Sequence, residues 1–279
     1  LSYRVLALDL DGTTLTSDHQ IIPAVREAIQ QLKSKIMVLL VTGRHHTAAR
    51  PYYYELGLDT PIISCNGTYI YDYQTNSVLA ENAISQDTAL HFLQLAQHHE
   101  LNLVVYVTNR MTLSAQKPIA YMSVLEHWAA QCPEAVRPEI VRVDSFEDEI
   151  ANSEYIWKFV AEGDIEKITA FAKLDWIQAH FTGEQSWHNR IDFSRKGNTK
   201  GARLQAFLAQ HDISLADVIA IGDNHNDISM IEAAGLGVAM ANAEDAVKAI
   251  ANQVTQETNN GQGILDILQQ YFGDHLRGA

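Results

Sequence analysis

The chain has 279 residues with 34 Asp and Glu against 20 Lys and Arg, a formal net charge of −14, which argues against nucleic acid or an anionic membrane as main partner and suits a protein that uses cations. A hydrophobic share of 47% and a charged share of 19% belong to a soluble globular protein with a substantial core in one large or two medium domains. No apolar segment approaches membrane-crossing length, and Cys65 and Cys132 lack metal or redox spacing, so a reduced cytoplasmic setting is expected.

The apolar run 5–8 meets Asp9, Leu10, Asp11, Gly12 and Thr13. Such a run reads as a strand buried on both faces of a parallel sheet, its polar end where these sheets bind ligands. Asp9 and Asp11 are two apart and share a face on extended chain, and Gly12 frees the backbone to turn. The alternative is a strand that merely stops at a polar turn, although D-x-D-G-T at a given start has a chance frequency on the order of one in 10⁵. Interrupted by Asp9, the run is expected to be neither a signal peptide nor an anchor. Pro23 opens a helix to about 34, with Val25, Ala28, Ile29 and Leu32 at helical spacing. A second buried strand, 36–41, ends in Thr42, Gly43 and Arg44, and the helix after it is expected to break or kink near Pro51. A third strand, 61–65, runs into Asn66 and Gly67, and the segments 69–72 and 77–79 predict a hairpin. Alternating strands and helices in this order build a parallel sheet with right-handed crossovers.

The texture changes near 83 to an α+β insert. Ser85 caps a helix with Ala89, Phe92, Leu93 and Ala96 inward. Strands follow at 101–108 and 111–115, a helix at 119–131, strands at 139–143 and 155–162, a helix at 165–174, and strands at 177–181 and 187–193. The opening texture returns with a helix that carries Lys200 near its start and Leu204, Phe207 and Leu208 along it. A buried strand, 218–222, then delivers Asp223, Asn224, His225, Asn226 and Asp227. A helix through Ile228 and Ile231 ends at Gly235, followed by a strand at 236–240 and helices at 243–251 and 263–272. The fold class expected is α/β: a doubly wound, Rossmann-like parallel-sheet core, 1–82 and 191–279, with an inserted α+β cap, 83–190.

In a parallel sheet all carboxyl ends lie on one edge, so Asp9, Asp11, Thr42, Gly43, Asp223 and Asp227 can converge, with Lys200 at a nearby helix start. Four carboxylates in one crevice raise one another's pKa unless a cation sits among them. Oxygen ligands without His or Cys at metal spacing favour a hard octahedral ion such as Mg²⁺. Lys200, with the hydroxyl and N–H groups of Thr42 and Gly43, supplies what a phosphate needs on its other sides.

Asp9 to Thr13, Thr42-Gly43-Arg44, Lys200-Gly201 and Gly222 to Asp227, in that order, resemble the four motifs of the haloacid dehalogenase-like hydrolase superfamily. The insert, and Ser64-Cys65-Asn66-Gly67, resemble its Cof-type phosphatases with an α/β (C2B-type) cap; Thr42 to His46, Asn66 to Tyr69 and Asn224 to Met230 resemble members acting on pyridoxal phosphate. Thr14 departs from the Leu usual after the Gly-Thr of the first motif, a change in packing rather than chemistry. The resemblance implies a Mg²⁺-dependent hydrolysis of small phosphomonoesters, pyridoxal 5′-phosphate preferred and sugar phosphates the alternative. It makes Asp9 the nucleophile of an aspartyl-phosphate mechanism and Asp11 its acid and base. It places the metal on Asp9, the Asp11 carbonyl and Asp223, with Asp227 in support through water or by orienting Lys200. The phosphoryl oxygens fall to the Leu10 N–H, Thr42, Gly43, Lys200 and Asn226. A dehalogenase needs no acid two residues beyond its nucleophile, so Asp11 favours phosphatase chemistry.

Other readings stand beside these. A receiver-like module that holds its phosphoryl group as a signal also gathers carboxylates, a hydroxyl and a lysine, but has no use for a hundred-residue insert. Lys196 competes with Lys200 for the phosphate, though only Lys200 opens a helix. Asn66-Gly67 is either a turn pair or a substrate contact, and Arg44, His45 and His46 are an exposed helix start unless Arg44 and His45, beside the phosphate loop, touch the substrate. Tyr106, Trp157, Trp187, His188 and Arg190 of the cap are core or surface residues unless one stacks on a pyridoxal ring. The cap is expected to close over a small-molecule phosphate ester, in a monomer or homodimer with no nucleic-acid or membrane partner.

Overall fold

The first apolar run is strand β1 (Val5–Leu8), buried throughout, in a computed structural model that describes residues 2–117 and 119–276. Helix α1 (Pro23–Leu32) starts on its proline and buries Val25, Ala28, Ile29 and Leu32. Strand β2 (Met37–Leu40) pairs parallel with β1, Val5 opposite Met37 and Leu8 opposite Leu40. Helix α2 (His46–Leu56) runs unbroken through Pro51, where a break or a kink was expected. Pro51 lies in its second turn, where it forfeits the bond an N–H would have made to the Thr47 carbonyl and crowds that carbonyl with its ring, without ending the helix. Strand β3 (Ile62–Ser64) meets the end of β2 through a parallel bridge from Ile63 to Val41, and pairs antiparallel with β4 (Tyr69–Asp72). With β5 (Ser77–Glu81) these make a three-stranded sheet.

The insert holds α3 (Gln86–His98), β6 (Asn102–Val107), β7 (Arg110–Ser114), α4 (Ala120–Gln131), β8 (Ile140–Val143), α5 (Phe146–Asn152), β9 (Ile156–Glu162), α6 (Ile165–Ala172), α7 (Asp175–His180), β10 (Phe181–Trp187) and β11 (Arg190–Arg195). Its six strands run in the order β10-β11-β9-β6-β7-β8. Phe92 of α3 packs on Phe159, Phe171, Phe181 and Phe193 at ring separations of 4.2 to 5.5 Å, the centre of this unit's core. Helix α5 was not expected; it buries only Glu149 and Ile150 and so leaves no helical period to read, although Ser145 caps it. The strand expected at 177–181 is instead α7 followed by the start of β10. There the Trp176 ring stacks on His180, four residues on, at 4.7 Å, a contact that helical spacing makes and a strand does not. The strand expected at 187–193 is interrupted by a turn at His188 and Asn189.

Helix α8 (Lys200–Ala209), β12 (Val218–Gly222), α9 (Ile228–Ala233), β13 (Leu236–Ala239), α10 (Asp245–Ile250), β14 (Gln253–Val254) and α11 (Gly263–Phe272) complete the chain. The main sheet has the order β14-β13-β12-β1-β2 with all pairs parallel. Asp9 and Asp223 therefore leave neighbouring strands at the same edge. Gly201 lets α8 meet α9, since a Cβ there would stand 2.5 Å from the Ser229 carbonyl oxygen.

Two compact units result, Leu1–Gly43 with Tyr52–Leu79 and Thr199–Ala279, and Arg44–Pro51 with Ala80–Asn198. The boundary expected between 190 and 191 falls within the β10–β11 hairpin; β11 pairs with both β9 and β10, which carries the second unit on to Asn198. Among the described residues no helix is long and apolar enough to cross a membrane.

Candidate active site

Asp9 follows β1 directly, 5% exposed, its N–H donating to the Ile221 carbonyl of β12 at 3.1 Å. Lys200, fully buried at the start of α8, donates from Nζ to Asp9 Oδ1 at 2.9 Å and to Asp227 Oδ1 at 2.7 Å. Asp227 Oδ2 accepts the N–H groups of Asp223 and Asn224 at 2.9 and 3.1 Å. Both Asp227 oxygens are thus engaged by N–H donors, which suits a residue that holds Lys200 and the 223–227 turn. Gly222 makes room for it, since a Cβ there would lie 2.4 Å from Asp227 Cγ. Asp223 accepts from Thr13 Oγ1 at 2.9 Å, a contact that the sequence reading did not foresee although Thr13 lies in the first motif. Lys196, the competing lysine, is exposed and donates to the Gln178 carbonyl at 2.8 Å.

Burial raises the Asp9 pKa well above the carboxylate range, and the charges of Asp227 and Asp223 add to the rise against Lys200. The Asp223 carboxyl is pushed up to about 7, first by burial and then by Asp227. Burial opposes the Lys200 ammonium too, but Asp227 and Asp9 outweigh it and raise its pKa. Lys200 pairs with Asp9 and Asp227, yet the Asp9 and Asp223 carboxyls stay raised, so burial and mutual repulsion outweigh its charge there. Ligand oxygens of Asp9, Asp223 and Asp227 lie within 4.8 Å of one another. This all-oxygen donor set, in which burial first and neighbouring carboxylates second raise the pKa of Asp9 and Asp223, fits a hard divalent cation. The Asp11 side chain stands apart, 47% exposed, and does not belong to that cluster.

The loop after β3 supplies Asn66, buried, whose Oδ1 accepts from Asn226 Nδ2 at 3.0 Å. Gly43 backs onto it, since a Cβ there would meet Asn66 Oδ1 at 2.9 Å. Thr42 is buried, and its carbonyl accepts the Asn66 N–H at 3.0 Å. Leu10 is buried in the turn after Asp9. Cys65 and Asn66 have φ of 48° and 57° and Gly67 one of 87°, three left-handed residues in succession, a cost that such backbone keeps where it places a side chain. Asn66→Gly is expected to leave the melting temperature within about 4 °C, because relief of strain and loss of one hydrogen bond, each about 1 kcal/mol, offset each other. With Asn226 a phosphate ligand, as the resemblance implies, the same change is expected to weaken the binding of inorganic phosphate roughly tenfold, because Asn226 loses its partner.

Arg44, His45 and His46 belong to the second unit. The Arg44 guanidinium lies 5.1 Å from the Trp128 ring centre and donates to the Ala48 carbonyl. The histidines are buried, not an exposed helix start. The Thr47 N–H donates to His45 Nδ1 at 3.1 Å, so the ring proton is on Nε2 and goes to the Val107 carbonyl at 2.7 Å. Burial pulls the His45 pKa down to about 3 and keeps it neutral. Trp157 is core, its indole N–H donating to the Thr108 carbonyl, and Tyr106 is buried beneath the Lys158 ammonium. Trp187 is 57% exposed. Arg190 lies over the Tyr121 ring at 4.0 Å, and His188 sits in the β10–β11 turn. Lys158 and Asp192 form a buried ion pair at 2.7 Å that the sequence did not signal.

A parallel sheet that presents a buried carboxylate, a buried lysine and a hydroxyl-bearing loop at one edge is the frame of a phosphoryl-transfer hydrolase. The sequence profile of the haloacid dehalogenase-like hydrolases matches residues 6–268, and the chain belongs to that family. It is 38% identical over 278 residues to pyridoxal phosphate phosphatase YbhA of Escherichia coli, covering 99% of this chain and 100% of that one. Stress response protein YhaX of Bacillus subtilis is 30% identical over 282 residues, covering 98% and 94%. A solved haloacid dehalogenase-like hydrolase from B. subtilis superposes with a TM-score of 0.81 at 26% identity, covering 95% and 99%. The chain is a phosphoric monoester hydrolase, and the reading as a phospho-accepting signal module is set aside.

Proposed function

We propose that this phosphatase is Mg²⁺-dependent, works through an aspartyl-phosphate on Asp9, and prefers pyridoxal 5′-phosphate, with sugar phosphates as the alternative. The observation that carries the mechanism is the buried Lys200 ammonium, shared between Asp9 and Asp227, within a cluster of three converging carboxylates that Asp223 completes. Full-length similarity to a pyridoxal phosphate phosphatase supports the substrate.

Asp9, Asp223 and the Asp11 carbonyl would hold the ion, with Asp227 in support through Lys200. Once bound, it supplies charge neutralisation to the carboxylates and the phosphoryl oxygens. The Asp9 carboxylate attacks phosphorus, the ester P–O bond breaks, and the departing alkoxide takes the proton of the Asp11 carboxyl. A water then loses a proton to Asp11 as its oxygen attacks phosphorus. The bond from phosphorus to Asp9 breaks, inorganic phosphate leaves, and both aspartates return to their starting states. Lys200, Asn226, Thr42, Gly43 and the Leu10 N–H bind the phosphoryl oxygens, Asn66 orients Asn226, and Arg44 is the remaining contact proposed for the substrate.

A panel of phosphate esters assayed with Mg²⁺ tests the reading. Pyridoxal 5′-phosphate is expected to have the highest kcat/KM, and a sugar phosphate ahead of it by tenfold would replace it as the substrate.

A further inference from the structure

We propose that His19 is a positioning residue for Asp11, holding the carboxyl that protonates the leaving group; this rests on the aspartyl-phosphate reading above. His19 Nδ1 stands 3.4 Å from Asp11 Oδ1, with both side chains about half exposed. A pair as open to water as this adds little stability. The backbone of His19 is nevertheless in the left-handed region, φ 58°, which a non-glycine residue adopts at a cost.

Three contacts hold it there. The His19 N–H donates to the Thr16 carbonyl at 2.9 Å, and the Thr16 N–H donates to the Gln20 carbonyl at 2.8 Å, closing a turn at the tip of an excursion whose base is the bridge between Leu15 and Ile21. The Tyr52 hydroxyl of α2 donates to the His19 carbonyl at 2.8 Å. A strained residue fixed through both its N–H and its carbonyl, with its ring at the carboxyl of Asp11, is the arrangement in which strain persists because it places a functional group.

The chemical consequence concerns the first half-reaction. Oδ1 faces His19 Nδ1; with the ring proton on that nitrogen, the proton that Asp11 gives up is carried on Oδ2, and the carboxyl keeps one orientation while the ester P–O bond breaks and that proton passes to the alkoxide oxygen. An alkoxide needs the proton; p-nitrophenolate, a stable anion, leaves without it. Loss of His19 therefore harms alkyl esters more than aryl esters.

The test compares kcat/KM of wild type and His19→Gly on p-nitrophenyl phosphate and on an alkyl ester, pyridoxal 5′-phosphate or a hexose 6-phosphate. Glycine suits the left-handed backbone. Both esters are measured in one preparation, so any inactive fraction cancels from the ratio. The alkyl-ester loss is expected to exceed the aryl-ester loss about tenfold. Equal losses on the two esters, or no loss on either, would overturn the role of His19. A wild-type enzyme that hydrolyses neither ester would instead overturn the phosphatase reading on which it rests.

Discussion

Asp9→Asn lowers kcat/KM on every phosphate ester by roughly four orders of magnitude or more, the scale on which removal of a nucleophile is felt. The amide has the shape of the carboxylate but not its nucleophilicity. The fold tolerates the change for a reason visible at Lys200: its Nζ keeps Asp227 Oδ1 at 2.7 Å, and an amide oxygen can still accept at the position of Asp9 Oδ1. Burial already disfavours the ionised form of Asp9, so replacing it by a neutral isostere leaves no unpaired charge behind. The measurement is phosphate release from p-nitrophenyl phosphate with Mg²⁺, beside a thermal melt. Substantial metal-dependent turnover by the variant would remove Asp9 from the nucleophile's role and take the aspartyl-phosphate with it.

The second large effect is a coupling of metal, pH and stability. In the metal-free protein the Asp9 pKa is raised and that of Asp223 lies at about 7, against an unfolded value near 3.9. For carboxyl groups raised in this direction, the folded state binds more protons than the unfolded one. Their contribution to stability is fully present below about pH 4 and is lost as pH rises through about 7. The loss amounts to a few kcal/mol, on the order of 10 °C in melting temperature for a chain of this size. A divalent cation reverses it, because it binds the ionised carboxylates of the folded state alone. Mg²⁺ is therefore expected to raise the melting temperature by several degrees at pH 7.5 and hardly at all at pH 5. Asp223→Asn is expected to abolish the Mg²⁺ effect and to leave the metal-free protein more stable than wild type at pH 7.5. A Mg²⁺ shift equal at both pH values, or one that survives Asp223→Asn, would place the ion elsewhere.

Much of this chemistry was legible before any coordinates. The buried run before Asp9, the two-residue spacing to Asp11, and a later apolar run ending at Asp223 are local patterns, and period-2 and 3.6-residue repeats carry their own structural meaning. They determined the parallel α/β core, the strand-end clusters and the choice of Lys200 over Lys196. Where the pattern was weak the reading failed: α5 buries two of its seven residues, and the segment 177–181 carries the same apolar residues a strand would. The edge of the insert was misplaced for a different reason, since only pairing with β9 and β10 assigns β11 to the second unit.

What the tertiary structure alone decided is which distant groups touch. Lys200 meets Asp9 across 191 positions and Asn226 meets Asn66 across 160, and no local period encodes either contact. The structure gave Asp227 a hold on Lys200 and the 223–227 turn, buried His45 as a neutral ring on Val107, and brought His19 to Asp11. By itself the sequence determined the residue types that a phosphoryl group and a hard cation require, because charge and side-chain chemistry belong to single residues. Partner, orientation and pKa belong to neighbours, and neighbours exist only once β12, β1 and β2 lie side by side.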